Sequence, residues 1–348
     1  MPVFPQPSFP GPAAYLDLLE AVSFRAVAAA SRLGFFTALD AGGSSAVLDA
    51  GGSSAAEVAA ATGTDPLGAR ILLDALAGYG YVTRSGEHYA NSPDAARWLL
   101  PGSPDSFVPV LSFWSDVLTH RWADLEDSIR RGGPAGDFYA WLEGRPDTLR
   151  DFQTMLRRLA DHLGPSLVAL SPPGQSLLDL GGGHAAYTVA FLRAHPGLRA
   201  TVVDLPGALR QGARTVQEAG LADRVTLREG DLFTTDLGTG HDLVLLANIV
   251  HGYQRDDVLT LLGRAARALR PGGRVTLLEP LADVPQREAG PGEAFVRMFS
   301  LNLFHTQGGR AYGLDELTAL LKEAGFTDVA EHRLAGTDTD HVVTATLA

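Results

Sequence analysis

The chain has 348 residues, of which 45% are apolar and 20% charged, and its net charge is −12. This is the composition of a globular protein of about two domains with ample core, and the acidic balance argues against a nucleic-acid backbone as partner. Cysteine is absent, which excludes disulfides, zinc–thiolate sites and thiol catalysis; no apolar run reaches the length of a membrane span and the N-terminus MPVFPQPSFPGP has no basic-then-apolar leader pattern, so a cytoplasmic protein without membrane contact is expected.

Residues 1–12 are proline-rich and read as an extended or disordered arm. Ala13–Leu39 reads as one helix with an apolar stripe of Leu16, Leu19, Val22, Ala26, Ala29 and Leu33. The segment Leu39–Ala46 recurs unchanged as Leu48–Ala55, too few copies for a solenoid, and is expected to be a duplication inside a mobile surface loop. Ser54 and Glu57 have the spacing of a capping box, and Thr64-Asp65-Pro66 predicts a second helix start. Two short runs, Tyr81–Thr83 and His88–Asn91, then predict a hairpin. Helix, helix, hairpin is a winged-helix pattern. Its second helix is mostly apolar with one arginine, however, whereas a helix that reads a DNA groove needs donors on its exposed face. Burial against a second subunit is the expected use.

Phe107–Leu170 is helical and aromatic-rich, and Pro172-Pro173-Gly174 marks a boundary. Ser176–Leu180 is an apolar run that stops at three glycines, a helical pattern covers His184–His195, and Ala200–Val203 is a second apolar run closed by Asp204. Strand, glycine turn, helix, strand and acid make a mononucleotide-binding unit, in which Asp204 can take both hydroxyls of an adenosine ribose. The spacing Gly181-x-Gly183-x-x-Ala186 fits a loose dinucleotide pattern as well, and leaves a nicotinamide cofactor open. Alternation continues with a helix over Ala208–Ala219, strands over Val225–Leu227 and Leu243–Leu246, and a helix over Asp256–Leu269. Arg270–Arg274 reads as a turn into the strand Val275–Leu278, and Leu314–Ala324 as a further helix. Such alternation predicts a doubly wound α/β fold, and the closing strands Asp328–Leu334 and His341–Leu347, joined by a short turn, must be antiparallel.

Six short motifs in this order, LDLGGG (Leu178–Gly183), VVDLP (Val202–Pro206), GDLF (Gly230–Phe233), NIVH (Asn248–His251), RPGG (Arg270–Gly273) and Gly325-Phe326, follow the winged-helix pattern. Together with the reversed closing strand, they give a chain that resembles the two-domain small-molecule O-methyltransferases of plant caffeate and actinobacterial natural-product type. The resemblance implies a Rossmann-like S-adenosylmethionine domain over 173–348, a winged-helix-like dimerisation domain over 1–106, and a helical linking and substrate-lining region over 107–172. It further implies a small-molecule substrate, and the apolar surface of the N-terminal helices, more than a small winged-helix unit can bury alone, predicts an isologous homodimer built mainly through residues 13–130. Gly181 and Gly183 would flank the methionine part of the cofactor, with Asp179 closing that end. Asp204 would hold the ribose, Asp231 the adenine amino group and Leu232 the adenine ring, with Leu205, Phe233 and Asn248 in the same motifs. His251 falls at the family's general base and Glu279 at the glutamate that orients it. Phe152 and Met155 are candidates for the substrate pocket, as are Met298, Asn302 and His305 at helical spacing.

Two departures from the family pattern stand out. Gly252-Tyr253 replaces Asp-Trp after the histidine, and Gly308-Gly309-Arg310-Ala311-Tyr312 lacks the second glutamate. A second reading follows, in which His251 and His305 hold a metal for C-methylation of a 2-oxo acid; a non-methylating cyclase or hydroxylase on the same fold is the third.

Overall fold

The computed structural model describes residues 13–42, 52–283 and 291–348. The proline-rich arm and the middle of the repeat, residues 43–51, lie outside the described residues, and with them the expectations made for both. Two compact units meet in sequence at His120 and Arg121, so the stretch 107–172 is shared between them.

The first unit contains α1 (Ala13–Leu33), α2 (Phe35–Ala41), β1 (Ser53–Ser54), α3 (Ala55–Thr62), α4 (Pro66–Gly78), β2 (Val82–Ser85), β3 (His88–Asn91), α5 (Pro93–Trp98) and α6 (Val108–His120). The single helix expected over Ala13–Leu39 is broken at Gly34, whose φ of +81° is a left-handed value that suits glycine. That break turns Phe35, Phe36 and Leu39 into the core. The expected stripe is also displaced. Ser23, Val27 and Ala30 face inward, whereas Val22 and Leu33 are exposed, because α1 is apolar on more than one face and periodicity alone cannot choose between them. The capping box is complete: the Ser54 hydroxyl accepts from the Glu57 N–H while the Glu57 carboxylate accepts from the Ser54 N–H. β1 pairs antiparallel with β3, giving a three-stranded wing in the order β1-β3-β2. Leu67 and Ile71 on α4 stay more than half exposed. An apolar cavity of about 670 Å³ opens among Leu16, Leu19, Phe24, Trp98, Phe107 and Leu111.

The second unit contains α7 (Leu125–Arg131), α8 (Phe138–Glu143), α9 (Pro146–Leu170), β4 (Ser176–Leu180), α10 (Ala186–Ala194), β5 (Arg199–Asp204), α11 (Pro206–Glu218), β6 (Val225–Glu229), β7 (His241–Ala247), α12 (Arg255–Ala268), β8 (Leu269–Pro280), α13 (Pro291–Thr306), α14 (Leu314–Glu323), β9 (Phe326–Arg333) and β10 (Asp340–Leu347). The strands form one sheet in the order β6-β5-β4-β7-β8-β10-β9. β4 to β8 are parallel neighbours, and β10 runs antiparallel to both β8 and β9. The expected doubly wound sheet with one reversed strand is therefore present. The Arg270–Gly273 stretch, expected as a turn, is absorbed into β8 with a register shift against β7. Central strands are buried on both faces: Leu177, Leu178, Val244, Leu245 and Leu277 expose none of their surface. Strand order reverses between β4 and β7, and in such sheets the ligand crevice lies at the carboxyl ends beside that reversal. Among the described residues no single helix is long and apolar enough to cross a membrane.

Candidate active site

The carboxyl end of β4 opens into the glycine loop. Gly181 takes φ of +75°, and a Cβ there would collide with the Ile249 side chain. The Gly183 N–H donates to Asp204 Oδ2 at 2.8 Å, and the Leu205 N–H donates to Asp204 Oδ1 at 2.7 Å. Both oxygens keep acceptor capacity after those bonds. Burial raises the proton affinity of the Asp204 carboxyl, and the two backbone donors oppose the rise. Asp179 lies beneath the loop and is almost wholly buried. Its Oδ2 accepts from the Thr188 hydroxyl at 2.6 Å, while its Oδ1 has no partner. Burial, with a smaller push from Asp204, moves its pKa up to about 7. His184 is buried in the same loop and pushed down to about 4, chiefly by desolvation. At the end of β6 the Asp231 Oδ1 accepts from the Phe233 N–H at 2.6 Å, Leu232 is buried, and Phe233 meets Tyr253 edge to face with centroids 5.1 Å apart.

β7 ends in a tight turn that carries His251. Asn248 adopts φ of +58°, and asparagine is one of the few side chains that accept that region. Glu279 near the end of β8 then ties the turn down. Its Oε1 accepts from the Ile249 N–H at 2.9 Å and the Val250 N–H at 2.7 Å, and its Oε2 lies 2.6 Å from His251 Nδ1. The last contact is close in distance but off the hydrogen-bond axis, since neither atom has an aligned partner. Nδ1 faces the carboxylate, and Nε2 is the ring nitrogen on the other side of the imidazole. Both side chains are buried. Gly309 closes the turn from outside, where a Cβ would collide with the His251 carbonyl oxygen and the backbone that follows it.

The residues expected to overlook the pocket fare unevenly. Phe152 on α9 packs edge to face on Phe138 of α8, and Met155 is half-buried one turn on. Asn302 is anchored, its Oδ1 accepting from Trp122 Nε1 at 3.0 Å. His305 is a structural residue. Its Nε2 donates to the Arg121 carbonyl at 2.8 Å, its Nδ1 pairs with the Ser128 hydroxyl at 2.8 Å, and Trp122 packs against its ring. Both ring nitrogens are taken, so neither is left to join His251 on a metal, and no group of three or more His, Asp or Glu side chains able to hold a metal occurs among the described residues. Met298 faces outward and is 55% exposed.

Residues 166–327 match the sequence model of the O-methyltransferase domain and residues 16–102 that of the O-methyltransferase dimerisation domain. The chain is 31% identical to a 3-hydroxy-5-methyl-1-naphthoate 3-O-methyltransferase from Streptomyces sahachiroi, over 90% of this chain and 89% of that one. It belongs to the O-methyltransferase family. A tetracenomycin polyketide synthesis 8-O-methyltransferase from Streptomyces glaucescens is 32% identical over 81% of this chain and 84% of its own. Among solved structures, a mitomycin 7-O-methyltransferase superposes with a TM-score of 0.84 at 25% identity, covering 96% of this chain and 97% of that one.

The protein is accordingly an S-adenosyl-L-methionine-dependent methyltransferase, and its crevice fits that cofactor. Asp204 has lone pairs to spare for two ribose hydroxyls, a glycine loop clears the space beside it, and Asp179 holds a buried, unpartnered carboxylate oxygen suited to a cationic amino group. Tyr253 stands where the sequence departs from Asp-Trp and retains an aromatic edge against Phe233; burial, with Asp204 and Asp231 nearby, pushes its phenol up to about 12. Sequence reasoning missed the roles of Thr188 and Trp122, and met Gly309 only within the stretch that departs from the family pattern. Thr188 sits at an ordinary position in α10. Trp122 appears among many aromatics, and nothing nearby in sequence marks Asn302 as its partner.

Proposed function

We propose that this O-methyltransferase methylates a hydroxyl on a small aromatic, polyketide-type substrate, with His251 as general base and Glu279 as the group that orients it. The observation that carries this reading is the double use of Glu279, which fixes the turn through Oε1 and faces the imidazole through Oε2. The names of the two Streptomyces relatives, a hydroxynaphthoate enzyme and a polyketide enzyme, support the substrate class.

When bound, S-adenosylmethionine supplies a methyl group already activated on a sulfonium. What the chain must add is alignment and a deprotonated nucleophile. A phenol has a pKa near ~10, so its proton must leave as the new C–O bond forms. His251 Nε2 accepts that proton, and Glu279 balances the imidazolium charge that results. Burial of both groups keeps competing water away and strengthens their interaction. Asp204 and Asp231 hold the nucleoside end, Asp179 the amino-acid end, and the side chains of α8 and α9 line the substrate side.

Methyl-labelled S-adenosylmethionine with 2-naphthol tests the reading. An aryl methyl ether carrying the label, formed equally well with EDTA present, is the expected product. Label on a ring carbon, or turnover abolished by EDTA, would contradict it.

The same reading gives a homodimer assembled through the first unit, whose Val22, Leu67 and Ile71 are each more than half exposed and whose apolar cavity is larger than its own side chains fill. Light scattering should show twice the chain mass at micromolar concentration; a stable monomer would contradict it.

A further inference from the structure

The glycine loop between β4 and α10 carries a histidine with no part in the proton transfer assigned to His251. His184 follows Gly183 directly and is only 8% exposed. The Ala186 N–H donates to its Nδ1 at 3.1 Å. A ring nitrogen that accepts carries no proton, so in the neutral imidazole the hydrogen sits on Nε2. Burial, with the Arg157 guanidinium adding to it, holds the pKa at about 4, so the neutral ring persists at neutral pH. Tyr187 flanks the imidazole, with ring centroids 5.9 Å apart. Nε2–H is therefore a held donor, and it has no partner among the described residues.

Core packing does not call for such a donor, since a phenyl ring would fill the same space. The surroundings specify what it takes. Arg157 brings positive charge toward the ring, which favours an anion. Its own guanidinium is engaged by Glu218 at 3.1 Å and Asp161 at 3.9 Å, which leaves the imidazole as the donor. The Asp179 carboxylate lies against Gly182, two residues before His184, and keeps Oδ1 unpartnered. One loop thus presents a buried acceptor and a buried donor, both unsatisfied. An α-amino acid matches that pair, because its ammonium and carboxylate leave the same carbon atom.

We infer that His184 Nε2–H receives the carboxylate of the methionine portion of S-adenosylmethionine, so that His184 and Asp179 together read the cofactor's zwitterion. The inference rests on the placement of Asp179 at the amino-acid end of the cofactor.

The test is calorimetric titration of the full-length protein with S-adenosylhomocysteine and with its decarboxylated amine analogue, which keeps the ammonium and lacks the carboxylate. His184→Asn keeps an acceptor for the Ala186 N–H and removes the distal donor. It should weaken S-adenosylhomocysteine roughly ten- to hundredfold, the loss of a hydrogen bond to a charged group, and leave the analogue unchanged. His184→Phe should show the same selectivity, and His184→Gln, whose amide reaches the place of Nε2, should recover most of the loss. Asp179→Asn should weaken both ligands, since both carry the ammonium. Equal weakening of the two ligands by His184→Asn and His184→Phe would make the ring a shaper of the loop and overturn the inference; so would unchanged affinity for S-adenosylhomocysteine. An Asp179→Asn protein that binds both ligands as the wild type does would overturn the placement of Asp179, and a carboxylate-selective effect of His184 would survive it.

Discussion

The two sides of the crevice are built differently. On the side proposed to hold the cofactor, carboxylates at successive strand ends accept from nearby groups over short separations: Asp204 from the Gly183 N–H, 21 residues away, and Asp179 from the Thr188 hydroxyl, 9 residues away. On the side proposed to receive the substrate, side chains from distant parts of the chain meet. Trp122 reaches Asn302 across 180 residues, and Ser128 reaches His305 across 177. The first side is a property of the βαβ unit itself. The second exists only once the whole unit has folded, so substitutions there should register in stability or substrate preference before they register in cofactor binding.

His305→Ala should show the largest such effect on stability. It removes a buried ring and leaves the Arg121 carbonyl and Ser128 hydroxyl unpaired, a loss of about 2–4 kcal/mol. Chemical denaturation would read it as a lower midpoint at unchanged slope. Loss of bound metal in place of lost stability would return His305 to the role of ligand and break the contrast. Asp204→Ala should act on the other side, weakening S-adenosylhomocysteine by ~1.5–3 kcal/mol, and because it leaves the Gly183 and Leu205 N–H groups without their acceptor it should lower the unfolding midpoint of the free protein as well.

Asp179 adds a pH signature to the cofactor side. Its carboxyl titrates at 3.8 in the unfolded chain and at about 7 when folded. Below pH 4 it is protonated in both states and makes no difference. Between those values the unfolded chain releases its proton while the folded one keeps it, so stability falls as pH rises; above about 7 the loss is constant. Asp179→Asn, which retains an acceptor for Thr188, should remove this component from the melting profile. A cationic cofactor group placed beside the carboxylate should also expel the proton, so binding near pH 7 releases protons in the wild type and not in the variant. Identical pH profiles for both proteins would contradict the assignment.

The smallest effect expected is that of deleting residues 43–51. Gly42 lies against Ser53, so joining Gly42 to Gly52 restores one copy of LDAGGSSA with Ala41 still ending α2 and Ser54 still capping α3. Shortening such a connection changes loop entropy by less than about 1 kcal/mol. The shortened chain should keep its dimer and melt within a few degrees of the parent, roughly the shift that 1 kcal/mol gives in a chain this long.

The same contrast separates what the sequence discloses from what it hides. β4, β5 and the turn carrying His251 were legible because apolar runs end in glycines and acids, and each signal spans a few residues. The capping box at Ser54 was legible for the same reason. The direction in which α1 faces was not, because helical periodicity marks an apolar stripe without saying which of two stripes is covered. β1 is two serines long and carries no strand pattern. His305 looked like a pocket residue because its spacing from Met298 and Asn302 is helical; that its nitrogens are spent on Arg121 and Ser128 is a fact of tertiary structure.

The central claim is that His251 removes the proton of the accepting hydroxyl, and the acidity of the substrate tests it most directly. Turnover of wild type and His251→Ala would be compared across hydroxyaryl substrates of increasing acidity, with S-adenosylhomocysteine affinity measured on the same samples. For 2-naphthol the variant should be slower by ~10²–10⁴. For a nitro-substituted naphthol already ionised at the assay pH the deficit should shrink toward unity, with cofactor affinity unchanged throughout. A deficit independent of substrate acidity, or a variant as fast as the wild type on 2-naphthol, would contradict the account.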